Sequence, residues 1–213
     1  MRFFLDTAFV DEIAKANDTE LICGVTTNPT LIRKAGRDPL DIYQEIADLG
    51  IEDISMEVSG DYVQMVDQAI ELHCMFGSVA TIKLPMTKEG LAVCRVLSKQ
   101  GVRTNVTLIF NAAQALLAAK SGATYVSPFV GRIDDQGYAG LEVVRSIAQL
   151  FQVTGVKTQV LAASIRTPHR AIRSIFNGAP IVTMPPKVFW DMYSHVLTDA
   201  GLAIFDEDVK HIG

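Results

Sequence analysis

The sequence predicts a closed (β/α)8 barrel, and three observations carry that expectation. Short β-rich or apolar runs begin near residues 3, 24, 54, 80, 103, 124, 158 and 180, about 25 residues apart. The segments between them return an apolar residue every three or four positions, the period of a helix with one buried face. No stretch rich in Ser, Pro or charge interrupts the alternation, so residues 1–213 read as a single domain. The length of 213 residues lies near the compact end of the barrel's range of roughly 200 to over 400. An open doubly wound sheet is the structural rival, but no GxGxxG turn follows the first strand to support dinucleotide binding.

Taken in order, the first run is Phe3-Phe-Leu-Asp-Thr7, and the second leads from Gly24 to Thr26, Thr27 and Asn28. Residues 39–49 have helical spacing and precede the third run, which ends at Glu57. Residues 62–72 are again helical and precede Ala80-Thr-Ile-Lys-Leu-Pro85, a β-branched strand with a lone charge, Lys83, at its centre. The fifth run carries Asn105 and Thr107, the sixth Ser127 and then Arg132, and the seventh leads to Ser164 and Arg166. Gly50, Gly77, Gly101 and Gly122 each close a helical segment just before the next strand, the place where a left-handed residue ends a helix. After the eighth run, residues 186–213 form a helical tail that ends in the acidic stretch Phe205-Asp-Glu-Asp-Val209.

Composition excludes several classes of function. With 49% hydrophobic and 20% charged residues, the chain has ordinary globular usage and enough apolar material for one large core. A net charge of -5 without a basic run argues against nucleic acid as a partner. Cys23, Cys74 and Cys94 are odd in number and widely spaced, which suggests free thiols in a reducing cytosol rather than disulfides or a zinc site. His73, His169, His195 and His211 are scattered without metal spacing, so no metal is expected. The amino terminus shows no apolar signal core, and no apolar stretch approaches the ~18 residues of a membrane span. A soluble cytoplasmic protein is the expectation.

In this fold the chemistry comes from the carboxyl ends of the strands. Asp6, Thr26, Thr27, Asn28, Glu57, Lys83, Asn105, Thr107, Ser127, Arg132, Ser164 and Arg166 all fall there. Inward positions differ by two, so Asn105 shares a face with Thr107, and Ser164 with Arg166. Burial of Lys83 in an apolar strand resists its charge and favours the neutral, nucleophilic amine that Schiff-base chemistry requires. A snorkelling lysine, an Asp6 or Thr7 helix cap, a structural ion pair at Glu57 and surface salt bridges at the arginines are the plainer readings. Arg33, Lys34 and Arg37 are read as a solvated helix face, with a second phosphate contact as the alternative.

Asp6 in Leu-Asp-Thr, Gly24-Val-Thr-Thr-Asn-Pro29, Ile82-Lys-Leu-Pro85, Asn105-Val-Thr-Leu-Ile-Phe110, Ser127-Pro-Phe-Val-Gly-Arg132 and Ala162-Ala-Ser-Ile-Arg166 together resemble the small transaldolases and their fructose-6-phosphate aldolase relatives. The resemblance covers essentially the whole chain. It implies a class I transfer of a dihydroxyacetone unit from a ketose phosphate to an aldose phosphate, in the setting of the pentose phosphate pathway. Lys83 is then the Schiff-base nucleophile, Asp6 the group that takes the proton of the C4 hydroxyl, and Glu57 the acid and base acting through a water held with Thr107. Asn28 and Asn105 are implied to hold hydroxyls, with Ser127 and Phe129 lining the site. Arg132, Ser164 and Arg166 are implied to bind the phosphate, a task suited to planar guanidinium groups. No cofactor is implied, and the tail of residues 186–213 is implied to pack on a neighbouring subunit of a homo-oligomer, a pentamer or decamer.

Two positions separate the relatives. The free aldolases carry glutamine where this chain has Glu57 and tyrosine where it has Phe129, so the present pair is that of a transaldolase. A phenylalanine there leaves the enamine dry and waiting for an acceptor, whereas a tyrosine hydroxyl helps deliver the proton that releases free dihydroxyacetone. An aldolase of that kind is the nearest alternative. A deoxyribose-phosphate type of Schiff-base aldolase and a non-enzymatic binding barrel are more distant ones.

Overall fold

In the computed structural model, which describes residues 1–212, eight parallel strands close on themselves in sequence order. They are β1 (Arg2–Asp6), β2 (Ile22–Thr26), β3 (Ile54–Glu57), β4 (Ala80–Pro85), β5 (Thr104–Ile109), β6 (Tyr125–Pro128), β7 (Gln159–Ala162) and β8 (Ile181–Met184). Each lies within two residues of its place in the sequence reading. Gly50, Gly77, Gly101 and Gly122 all have positive φ, as their position at helix ends requires. The helix read at residues 62–72 runs a turn further, from Tyr62 to Phe76, and opens with a reciprocal Asp61 and Gln64 capping box.

Two apolar layers hold the barrel. The larger lies between the strands and the surrounding helices, with Ile13, Ile42, Ile46, Met65, Leu97 and Ile147 among its fully buried members. The smaller fills the barrel's interior with Phe4, Tyr125, Leu161 and Ile181. A side chain at position 24 would conflict with that filling, because a Cβ there would lie 2.6 Å from the Phe4 ring and from the Asp53 carbonyl. Gly24 in β2 is thus the space into which Phe4 packs.

The amino-terminal end of the barrel is closed by a polar plug. Buried Asp53 accepts hydrogen bonds from Thr81 Oγ1 (2.8 Å), Tyr125 Oη (2.7 Å) and Arg103 (2.9 Å). Burial, reinforced by the Asp53 charge, pushes the Tyr125 hydroxyl above its ordinary pKa, so it remains a donor to the carboxylate. With one end sealed in this way, the candidate residues share the mouth at the carboxyl ends of the strands.

The tail consists of two helices rather than one. Pro186–Asp191 is anchored by buried Val188 and Phe189, with Trp190 and Tyr193 packed edge-to-face against Phe189. Val196–Val209 follows, contains the acidic stretch, and has no buried residue. Gly213, the end of the expected tail, lies outside the described residues. No helix among the described residues is long and apolar enough to cross a membrane.

Candidate active site

Strand register assembles the site. Asp6 pairs with Thr26 across β1 and β2, Glu57 with Lys83 across β3 and β4, and Lys83 with Asn105 across β4 and β5. Paired residues of a parallel ladder stand side by side, so these inward side chains meet at one level of the barrel. Above them is a cavity of about 100 Å³ whose lining includes Asp6, Thr26, Asn28, Lys83, Thr107 and Ser127. An adjoining chamber of about 190 Å³ shares Lys83, Thr107, Phe129 and Arg132 and adds Glu57. A larger cleft, about 680 Å³, lies around Arg2 at the sealed end and contains none of the candidate residues.

Lys83 is not the lone charge that its strand suggests. It is only 4% exposed, and its Nζ lies 2.9 Å from Glu57 Oε2 and donates to the Thr27 carbonyl at 2.8 Å. The correction has a simple cause, since the ladder places Glu57 opposite Lys83 and pairing offsets the cost of burying both. These contacts use two of the three ammonium hydrogens, and the cavity is open to the same nitrogen. Attack on a carbonyl needs an amine that has shed a proton, and Glu57 is the base in contact with it.

Asp6 is held from the side by Thr26 Oγ1, 2.8 Å from its Oδ1. It caps no helix. Thr7 instead accepts from the Phe9 N–H and donates to Glu12, just before the first helix. Desolvation by the barrel wall pushes the Asp6 carboxyl above the usual carboxylate range, opposed by Lys83, the Thr26 hydroxyl and Arg132 and assisted by Glu57. A carboxylate of raised basicity beside a buried lysine is suited to proton transfer.

The two amides are partly committed elsewhere. Asn28 is the N-cap of the helix Pro29–Ala35, with Oδ1 accepting from Leu31 N at 3.0 Å, which leaves its NH2 group for the cavity. Asn105 is fully buried, donates to Ser55 Oγ at 3.1 Å and accepts from Ser127 Oγ at 2.7 Å. It sits behind Ser127 rather than in the lining of either chamber. Thr107, by contrast, has a buried hydroxyl without a partner among the described residues and lines both chambers. An unpaired buried hydroxyl costs about 1–3 kcal/mol, which marks it as a group poised for a ligand or water. Just beyond it the β5 register shifts, and Leu108 takes a left-handed φ of 59°.

Phe129 and Arg132 follow β6, with the guanidinium 5.0 Å from the ring centroid. Arg132 makes no salt bridge within 4 Å among the described residues, so it is available to an anion. Ser164 has a φ of 58°, which interrupts the two-residue alternation assumed for Ser164 and Arg166. Arg166 consequently turns to the rim, where it hydrogen-bonds Asp135 through both terminal nitrogens. That pairing holds the Asp135 carboxyl below its ordinary range. Gly131, in the short helix Val130–Asp135, joins the two connections through its N–H to the Ser164 carbonyl at 3.0 Å.

Three contributors escaped the sequence reading. Thr183 lines the cavity from β8, Ser55 holds Asn105, and the Thr27 carbonyl holds Lys83. Thr183 had a visible signal, a hydroxyl one residue before the end of an apolar strand. The histidines and cysteines form no group able to hold a metal ion among the described residues, and the Arg33, Lys34 and Arg37 cluster is exposed.

Comparison with known proteins gives a consistent picture. The family described as transaldolase/fructose-6-phosphate aldolase matches residues 3–212. A protein of Clostridioides difficile (strain 630) named probable transaldolase is 48% identical over 209 residues, covering 98% of this chain and 96% of its own. Proteins with the same name from Clostridium kluyveri (strain ATCC 8527) and Thermoanaerobacter sp. (strain X514) are each 49% identical, covering 100% of this chain and 99% of their own.

Proposed function

The chain belongs to the transaldolase/fructose-6-phosphate aldolase family, and from that premise we propose that it is a class I transaldolase. The observation that carries the reading is buried Lys83, in contact with Glu57 and facing a cavity shared with Asp6. The amine of Lys83 adds to the C2 carbonyl of fructose 6-phosphate, and loss of water gives an iminium. Asp6 takes the proton of the C4 hydroxyl, the C3–C4 bond breaks, and its electrons move into the iminium to form an enamine. Glyceraldehyde 3-phosphate leaves. The enamine carbon then adds to the aldehyde of erythrose 4-phosphate, Asp6 returns its proton, and hydrolysis frees sedoheptulose 7-phosphate and Lys83.

Glu57 moves protons for the dehydration and hydrolysis steps through a water that Thr107 also binds; the two residues line one chamber. Asn28 offers its NH2 group to the three-carbon unit, Ser127 adds a hydroxyl, and Asn105 acts from behind Ser127. Arg132, Ser164 and Arg166 receive the phosphate, for which Arg166 exchanges an exposed carboxylate, Asp135, for a dianion. No cofactor enters these steps. The enzyme works on sugar phosphates as a homo-oligomer in the reducing cytoplasm, where free Cys23, Cys74 and Cys94 are stable, within the pentose phosphate pathway.

Incubation with fructose 6-phosphate, with and without erythrose 4-phosphate, tests the reading by mass spectrometry of the products. Sedoheptulose 7-phosphate is expected only when the acceptor is present, and borohydride is expected to trap a three-carbon adduct on Lys83. Free dihydroxyacetone accumulating without acceptor would make the chain an aldolase despite Glu57 and Phe129. No adduct and no product would leave a binding barrel.

A further inference from the structure

We propose that Thr183 is a positioning residue for Asp6, acting through Thr26, so that side chains on the adjoining strands β8, β2 and β1 form one hydrogen-bonded unit. Thr26 Oγ1 lies 2.8 Å from Asp6 Oδ1 and 2.7 Å from Thr183 Oγ1. A hydroxyl has one hydrogen to give, and a carboxylate has none. While Asp6 is ionised, Thr26 therefore donates to it, and the bond between the threonines must run from Thr183 to Thr26. The direction of the chain is fixed by counting protons.

Geometry holds the unit in place. Thr183 pairs with Phe4 and Thr26 with Asp6, and Phe4 and Asp6 are two residues apart on one strand. All three polar side chains consequently point into the barrel, with Thr183 one step below Asp6. The threonines are 2% and 1% exposed, so solvent water is a poor substitute for either bond. A donor to Thr26 increases the polarity of its own O–H, which strengthens its hold on the carboxylate. Asp6 is also faced by Lys83 from β4, Glu57 from β3 and Arg132 from the short helix Val130–Asp135 after β6. The threonines hold the Oδ1 side by a hydrogen bond, which leaves the other oxygen for the substrate.

The inference rests on Asp6 being the proton acceptor of the proposed reaction. Its test is the pH dependence of kcat/KM for transfer from fructose 6-phosphate to erythrose 4-phosphate in wild type, Thr183→Val, Thr183→Ser and Asp6→Asn. Loss of the Thr183 donor weakens stabilisation of the Asp6 anion. The acid limb in Thr183→Val is expected to move up by about half a pH unit, a threefold loss on that limb, with KM little changed. Thr183→Ser is expected to restore the wild-type limb. A limb that stays in place, or a serine variant no better than valine, overturns the proposal. A rise in KM that is equal at every pH also overturns it, and makes Thr183 a substrate contact. Asp6→Asn with wild-type kcat would instead sink the assigned role of Asp6, and the relay with it. Melting profiles establish that the variants fold, and Thr183→Ala makes the same measurement if valine does not.

Discussion

Asp6 carries a cost that follows from its place in the barrel wall. Burial raises the pKa of its carboxyl in the folded protein, so between the ordinary value and the folded value the native state binds more protons than the unfolded one. Stability contributed by this group is thus present at low pH and is lost as pH rises through that window. The ionised form bears that cost in full only above the folded value. Asp6→Asn keeps the Thr26 hydrogen bond and removes the charge, so it is predicted to abolish transfer while stabilising the fold at pH 7 by about 0.5–2 kcal/mol. The gain is predicted to shrink toward pH 4, as wild-type Asp6 takes up its proton. Thermal melts of both proteins at the two pH values check this, and a variant no more stable than wild type at pH 7 contradicts it. Residue type alone pointed to the candidate set, since Lys83, Asp6 and Glu57 are charges toward the carboxyl ends of otherwise apolar strands. It could not reveal that Asn28 spends its carbonyl on a cap, or that Lys83 has a carboxylate opposite.

The elements contribute alignment. The connection after β6, whose short helix Val130–Asp135 carries Arg132, meets the loop after β7, which carries Ser164 and Arg166, at Val130 and Gly131. A Cβ at residue 131 would lie 2.3 Å from the Ser164 carbonyl and 2.8 Å from Arg166 Nε. Gly131→Ala is therefore predicted to spread the two loops and raise KM for fructose 6-phosphate at least about tenfold, since small displacements of binding groups carry large penalties. Activity on unphosphorylated fructose is predicted to change much less. Equal losses on both substrates, or none, would show that the loop contact does not set phosphate binding. Strand order and spacing were legible because alternation and glycine punctuation are local signals. The register and the left-handed turns at Leu108 and Ser164 were not, because they arise from closing eight strands into a ring. Arg166 shows the consequence: two-residue counting from Ser164 aimed it inward, and the turn at Ser164 sends it to Asp135.

At the scale of the whole molecule, the tail is the part that the barrel does not account for. The helix Val196–Val209 has no buried residue, while Leu197, Ile204, Phe205 and Val209 are each more than 60% exposed. A fourteen-residue helix gains little from propensity alone and is held in most proteins by burying an apolar face. Among the described residues these apolar side chains are left exposed by their own barrel, so an intersubunit contact is predicted to cover them. The proposed homo-oligomer meets this need, because in a symmetric assembly each copy of the chain brings both the helix and a surface for its neighbour's helix. Removal of residues 194–213 spares the anchored helix Pro186–Asp191 and leaves the barrel's core intact. The truncated chain is predicted to show a smaller mass by light scattering than the full chain, with its far-ultraviolet signature of strands and helices retained. An unchanged mass would place the subunit contact on the barrel itself, and a full chain that is monomeric would remove the homo-oligomer altogether.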